Sequence, residues 1–167
     1  MNLDCGSILN QILTKIGGSR IDDESGWANF TDPRVVDFLS EYGREFPTEG
    51  LECLTETPFP DWRIPLHPGE CHKNCVNLQF YVGTGRSEYR TVHGWALSDD
   101  DVWYCHSWCI KTVGLGNIIE TTHPRIAYFG FVLPDKVDPR AVELVPSSLG
   151  DLLESWRNSQ GIANDHK

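Results

Sequence analysis

The sequence has no run of basic residues. Its 14 lysines and arginines are outnumbered by 24 aspartates and glutamates, for a formal net charge of −10. Nucleic acids and anionic membranes are bound through clustered Lys and Arg, so no nucleic acid and no membrane is expected among the partners. The acidity is dispersed over segments such as DDES, TETPFPD and SDDD, which is the pattern of a solvated surface. No apolar run approaches the ~20 residues that span a bilayer. The opening residues, MNLDCGSILNQIL, place an acid and no basic segment ahead of a short apolar patch, unlike a secretory signal. Position 2 lacks the glycine that myristoylation requires. There is no internal repeat and no low-complexity tract. A cytoplasmic location is the resulting expectation.

What is present suits one folded domain. The 167 residues, 40% of them apolar and six of them tryptophan, are enough for a real core and exclude a disordered chain. The six cysteines, Cys5, Cys53, Cys71, Cys75, Cys105 and Cys109, are even in number, but a cytosolic chain keeps its thiols reduced. They are therefore read as thiols, with no structural disulfide.

Periodicity divides the chain. Leu3, Ile8, Leu9, Ile12, Leu13 and Ile16 fall near helical spacing over 3–16, and Gly17-Gly18 stops the helix. Thr31-Asp32-Pro33 reads as a helix start with Pro in the first turn. The apolar face Val35, Val36, Phe38, Leu39, Tyr42 follows, up to Gly43. The helical N-terminal part thus covers about 1–45. Residues 44–70 carry five prolines and little periodicity and read as a long ordered loop. From Cys71 the pattern is helical again, with Cys71, Cys75, Leu78 and Val82 on one face and Gly83 and Gly85 closing it. Strand-like runs follow at 89–97, 102–110, 117–121 and 125–133, with SDDD and VGLG as turns. A last helix is expected over 148–158, and a frayed tail over 161–167. Short links between the strands favour antiparallel pairing, hence a single α+β domain over 1–160 with its chemistry in 69–133.

Three features carry chemistry. Cys71 falls at a helix start, where free amides and the helix dipole favour a thiolate. In WYCHSWC (103–109), strand alternation puts Trp103, Cys105, Ser107 and Cys109 on one face and Tyr104, His106 and Trp108 on the other. His106 is then flanked by rings, which suits a general base. In IIETT (118–122), Glu120 is an acid within an apolar strand, and a buried carboxylate needs a partner such as a histidine on the next strand. Cys75 is expected in the core, His93 in the core or lining the cleft, and His72 exposed. His123, before a proline, is a loop histidine and the reserve orienting group or base.

The succession GECHKNCVNL, VHGWAL, CHSW, IIETT and AYFGFVL resembles the papain-like cysteine hydrolase superfamily. It is most similar to compact bacterial and phage relatives of the NlpC/P60 and transglutaminase-like groups, over about residues 69–133. The resemblance implies a helix bearing the nucleophile Cys71, packed on an antiparallel sheet bearing the base His106 and the orienting acid Glu120. It further implies that Asn74, Gly94, Trp108, Thr122, Tyr128 and Gly130 shape the core and cleft. Glu120 stands where the pattern usually has Asp, and Glu70 where related sites often carry Gln. The activity implied is acyl transfer at an amide or ester carbonyl, as in an amidase, protease or glutamine deamidase, with a protein, peptide or amide substrate and no cofactor.

Two other readings of the same residues stand beside this one. Cys71, Cys75 and His106 are candidate ligands of a structural zinc, although Cys105 and Cys109 would sit ~13 Å apart along a strand. A papain-like domain without catalysis, acting as a binding module that inhibits a partner, would use the acidic surface and the Pro-rich segment.

Overall fold

The computed structural model describes residues 5–22, 32–55, 66–81, 88–112, 116–134, 137–138, 140 and 148–161. Within these residues the elements run α1 (Cys5–Ile16), β1 (Arg20–Ile21), α2 (Pro33–Tyr42), β2 (Arg44–Phe46), β3 (Glu52–Cys53), α3 (Cys71–Tyr81), β4 (Tyr89–Leu97), β5 (Val102–Lys111), β6 (Ile118–Glu120), β7 (Ala127–Val132) and α4 (Ser148–Ser159). Seven strands form one sheet in the order β2-β7-β4-β5-β6-β3, with β1 pairing β5. The architecture is α+β, with four helices among the described residues.

Strand alternation separates two faces. Odd-numbered residues of β4, β5 and β7, including Trp95, Leu97, Trp103, Phe129 and Phe131, meet Leu9 and Leu13 of α1, Val35, Phe38 and Leu39 of α2, and Leu149 and Leu153 of α4 in the main core. Cys75 and Leu78 of α3 pack with Cys109, Ile119 and Tyr89. Even-numbered residues, Val92, Ala96, Trp108, Ile110 and Tyr128, cluster with Phe46 and Ile118 on the opposite face. Each fully buried aliphatic or aromatic side chain contributes about 1.5–3 kcal/mol, so both faces stabilise the sheet.

The helix starts follow local rules. Asp32 caps α2 by accepting the Arg34 amide at 2.9 Å, and Pro33 occupies the first turn. The Arg34 guanidinium also meets Asp151 and Glu154, which ties α2 to α4.

Three expectations need correction. Residues 44–70 are not all loop, because β2 and β3 lie within them. These strands have three and two residues, too short for a period-2 pattern to register, and they exist because β7 and β6 offer open edges. The sheet is mixed: β1 runs parallel to β5, and β3 parallel to β6. The helical N-terminal part is interrupted by β1, whose two residues carry no signal of their own. Among the four long runs, 117–121 and 125–133 narrow to 118–120 and 127–132. The expected roles of residues 1–4, Thr31, Val82, Gly83, Gly85, Val113–Leu115 and the tail beyond 161 lie outside the described residues.

The sheet is pulled tight at one point. Gly94 of β4 faces Gly130 of β7. A Cβ on Gly94 would collide with the Phe129 carbonyl oxygen and the Gly130 Cα, and a Cβ on Gly130 with the His93 carbonyl oxygen. Only glycine at both positions lets the two backbones approach this closely.

Candidate active site

The nucleophile candidate is delivered by a short approach to α3. Gly69 takes a left-handed conformation (φ 78°), which a residue with a Cβ rarely adopts. The Glu70 carbonyl then accepts the first helical hydrogen bond, from the Asn74 amide at 2.9 Å. Cys71 therefore opens the helix, where amides have no intrahelical acceptor. Asn74 fixes this approach from inside. Its side-chain NH₂ donates to the carbonyls of His67 (2.9 Å) and Thr121 (3.3 Å), and its Oδ1 accepts the His67 amide at 3.0 Å. One buried amide thus links the approach to Cys71 with the end of β6. The Glu70 carboxylate pairs with Lys73 at 2.8 Å, half-exposed and neutralised on the helix surface.

His106 sits on a strand that changes partners. β5 pairs with β4 from Trp103 to Lys111 along one edge. Along the other it pairs with β1 at Val102–Trp103 and with β6 at Cys109–Ile110. Residues 104–108 lie between those two partners, and there the Ser107 main-chain N–H turns to the Cys71 sulfur. His106 projects to the even face, where the Trp108 ring stacks on it at 6.1 Å and the Tyr128 ring lies 6.3 Å away.

Glu120 closes the relay. Its Oε2 accepts His106 Nε2–H at 2.8 Å and the Tyr128 hydroxyl at 2.9 Å. Its Oε1 accepts the amides of Thr121 and Thr122 and the Thr122 hydroxyl, each at 2.9 Å. Five donors surround one buried carboxylate, which keeps it ionised and fixed. The backbone beneath is held in turn: Leu54 N–H donates to the Glu120 carbonyl at 2.9 Å, and Thr55 Oγ1 to the Thr122 carbonyl at 2.8 Å.

The charges are coupled. Burial alone would push the Cys71 thiol up, but the hydrogen bond and charge of His106 and the Ser107 amide outweigh it and hold the thiol below its ordinary value. Burial alone would lower His106; the Glu120 carboxylate and Cys71 reverse this and push it up to about 10. Glu120 is held below the usual carboxylate range, because His106, Thr122 and Tyr128 together overcome its own desolvation. With Nε2 committed to Glu120, the remaining ring nitrogen of His106 faces the thiol. Such an arrangement favours a thiolate beside an imidazolium.

Cys71, His106 and Glu120 are thus brought together, with Asn74, Trp108, Thr122 and Tyr128 around them. His123 is not drawn in: it is exposed on the turn beyond Thr122. His72 departs from expectation, being buried, because its ring stacks on His93 at 4.5 Å. Cys75 is in the core, one turn below Cys71, with its sulfur 3.7 Å from Thr121 Oγ1. Among the described residues, no three His, Cys, Asp or Glu side chains are arranged to hold a metal ion. Sequence reasoning missed Leu54, Thr55 and the Thr121 amide as supports of Glu120. The polar Thr pair directly after Ile118-Ile119-Glu120 was the one available signal. No protein-family model matches this chain, and no curated protein or solved structure matches it either.

Proposed function

We propose that the protein is a papain-like thiol hydrolase or acyltransferase acting on an amide or ester carbonyl through Cys71, His106 and Glu120. The observation that carries this reading is the relay itself, in which Glu120 fixes one ring nitrogen of a buried imidazole at 2.8 Å and that imidazole lies beside a thiol at a helix start. In this chemistry the Cys71 thiolate attacks the carbonyl carbon. His106 then gives its proton to the departing amine or alcohol, leaving an acyl-thioester on Cys71. It next takes a proton from water, whose oxygen attacks the thioester; a carboxylic acid leaves and the thiolate–imidazolium pair is restored. Glu120 holds the ring orientation and stabilises the imidazolium throughout.

Glu70 in place of Gln does not oppose an oxyanion on this reading, since its carboxylate is engaged by Lys73 on the surface. The substrate expected is a protein, peptide or other amide. The test is a pair of assays on the intact chain. Iodoacetamide labelling of each cysteine across pH 4–9, read by peptide mass spectrometry, is expected to find Cys71 reacting fast well below the ordinary thiol pKa of about 8.5. A p-nitrophenyl ester should give a burst matching one acyl-enzyme per chain. Cys71→Ala should abolish the burst and leave the melting temperature within a few degrees. A full burst in Cys71→Ala would sink the reading, and slow labelling of Cys71 at every pH would favour a binding module.

A further inference from the structure

The triad leaves unused a second polar chain on the opposite face of β5. Ser107 follows His106, and its side chain points toward α3. Its Oγ lies 2.7 Å from His93 Nδ1 and 3.4 Å from His72 Nδ1. His72 follows Cys71, and its ring stacks on that of His93. All three residues are buried. His93 is the cross-strand partner of Ser107 in the β4–β5 ladder. The residue after the nucleophile and the residue after the base are therefore joined through one hydroxyl, anchored to a third strand position.

We infer that Ser107 is a positioning residue, whose hydroxyl, held by His93 and His72, fixes the distance between Cys71 and His106 from the face of β5 opposite to the His106 ring. This rests on the Cys–His reading above. A hydroxyl has one proton, so it donates to one imidazole and accepts from the other. The contact to His93 Nδ1 is the shorter of the two, and which ring donates to the hydroxyl follows from the tautomers of the two imidazoles. A buried chain of this kind has few alternative arrangements, and two of its members are the residues that directly follow Cys71 and His106. The main-chain N–H of the same Ser107 reaches the Cys71 sulfur, so a rotation of this residue would move a thiolate donor together with His106.

Displacements of ~1 Å cost about a hundredfold in rate, so the effect of losing the lock is measurable. In Ser107→Ala the amide remains and the lock is gone. The Cys71 labelling profile is expected to shift toward that of an ordinary thiol, with the rate at pH 6 falling at least tenfold, while far-UV circular dichroism is unchanged. Ser107→Thr, which restores the hydroxyl, should recover most of that rate. His93→Phe should reproduce the Ser107→Ala shift with the Ser107 hydroxyl still present. Unshifted profiles in both Ser107→Ala and His93→Phe overturn the inference while leaving the triad standing. A wild-type profile that His106→Ala does not alter overturns the triad reading, and this inference with it. If Ser107→Ala proves unfolded, His93→Phe and Ser107→Thr decide alone.

Discussion

At the scale of single residues, Glu120 is held by five donors and is tightly constrained. Glutamate is one methylene longer than the aspartate that the papain-like resemblance leads one to expect here. The observed geometry gives the extra methylene a purpose: Oε2 reaches His106 while Oε1 turns back to the amides of Thr121 and Thr122. Glu120→Asp is accordingly expected to lose function. The shorter side chain cannot hold both ends, and a buried donor left unpaired costs about 1–3 kcal/mol. The expected outcome is a thiol profile shifted toward the ordinary value and a lower urea midpoint, both checked on one preparation. A variant as reactive and as stable as the parent would contradict the account. The sequence pointed to Glu120 because an acid among apolar strand residues is rare. It did not reveal what satisfies that acid, because Leu54, Thr55 and Tyr128 arrive from other segments.

At the scale of elements, β5 organises the site. It is paired with β4 from Trp103 to Lys111 and shares its other edge between β1 and β6. That division leaves residues 104–108 between two partial partners, which is where the start of α3 comes in. The β4–β7 contact behind it depends on the Gly94–Gly130 approach. Gly94→Ala would press a methyl group against main-chain atoms of β7, which cannot yield as a side chain tip would. Overpacking of this kind costs about 1–3 kcal/mol. We expect a loss at the upper end of that range by denaturant unfolding, and weakened reactivity of Cys71, because Tyr128 rides on the displaced strand. An unchanged midpoint would show that the sheet relaxes at this place. The long strands and the α3 start were legible from period and capping signals. β1, β2 and β3 were not, since short strands owe their existence to the edge they pair with.

At the scale of the whole molecule, the linked ionisations set the pH dependence of folding. Glu120 has a folded pKa below its unfolded value, so its contribution is present above the unfolded pKa and is lost as pH falls through the folded one. His106 is raised from 6.5 to about 10, so its contribution is complete below 6.5 and is lost as pH rises toward 10. Cys71 is depressed and contributes with the opposite sign to His106, fully only above the ordinary thiol pKa. Where the folded chain holds a thiolate beside an imidazolium and the unfolded chain a thiol beside a neutral imidazole, both states carry one proton on the pair. The linkage slope there is zero. Chemical denaturation should therefore give a plateau in stability that ends near the ordinary thiol value of about 8.5 and begins where Cys71 ionises in the folded chain. In Cys71→Ala the compensation is gone, and stability should fall with rising pH from 6.5 upward. Parallel profiles for parent and variant would show that the two groups are not coupled.

The sequence by itself determined the class of the fold, the start of α3 at Cys71, the face on which His106 projects and the unusual position of Glu120. Each of these is a local matter of period, capping or a lone polar residue in an apolar run. Only the tertiary structure decided how the groups meet: the mixed pairing of the sheet, the five donors around Glu120, the Asn74 staple and the burial of His72 against His93 and Ser107. These join residues far apart in the chain through contacts that are specific in distance and angle. Such contacts arise from the packing of α3 on the sheet, and no local pattern encodes them.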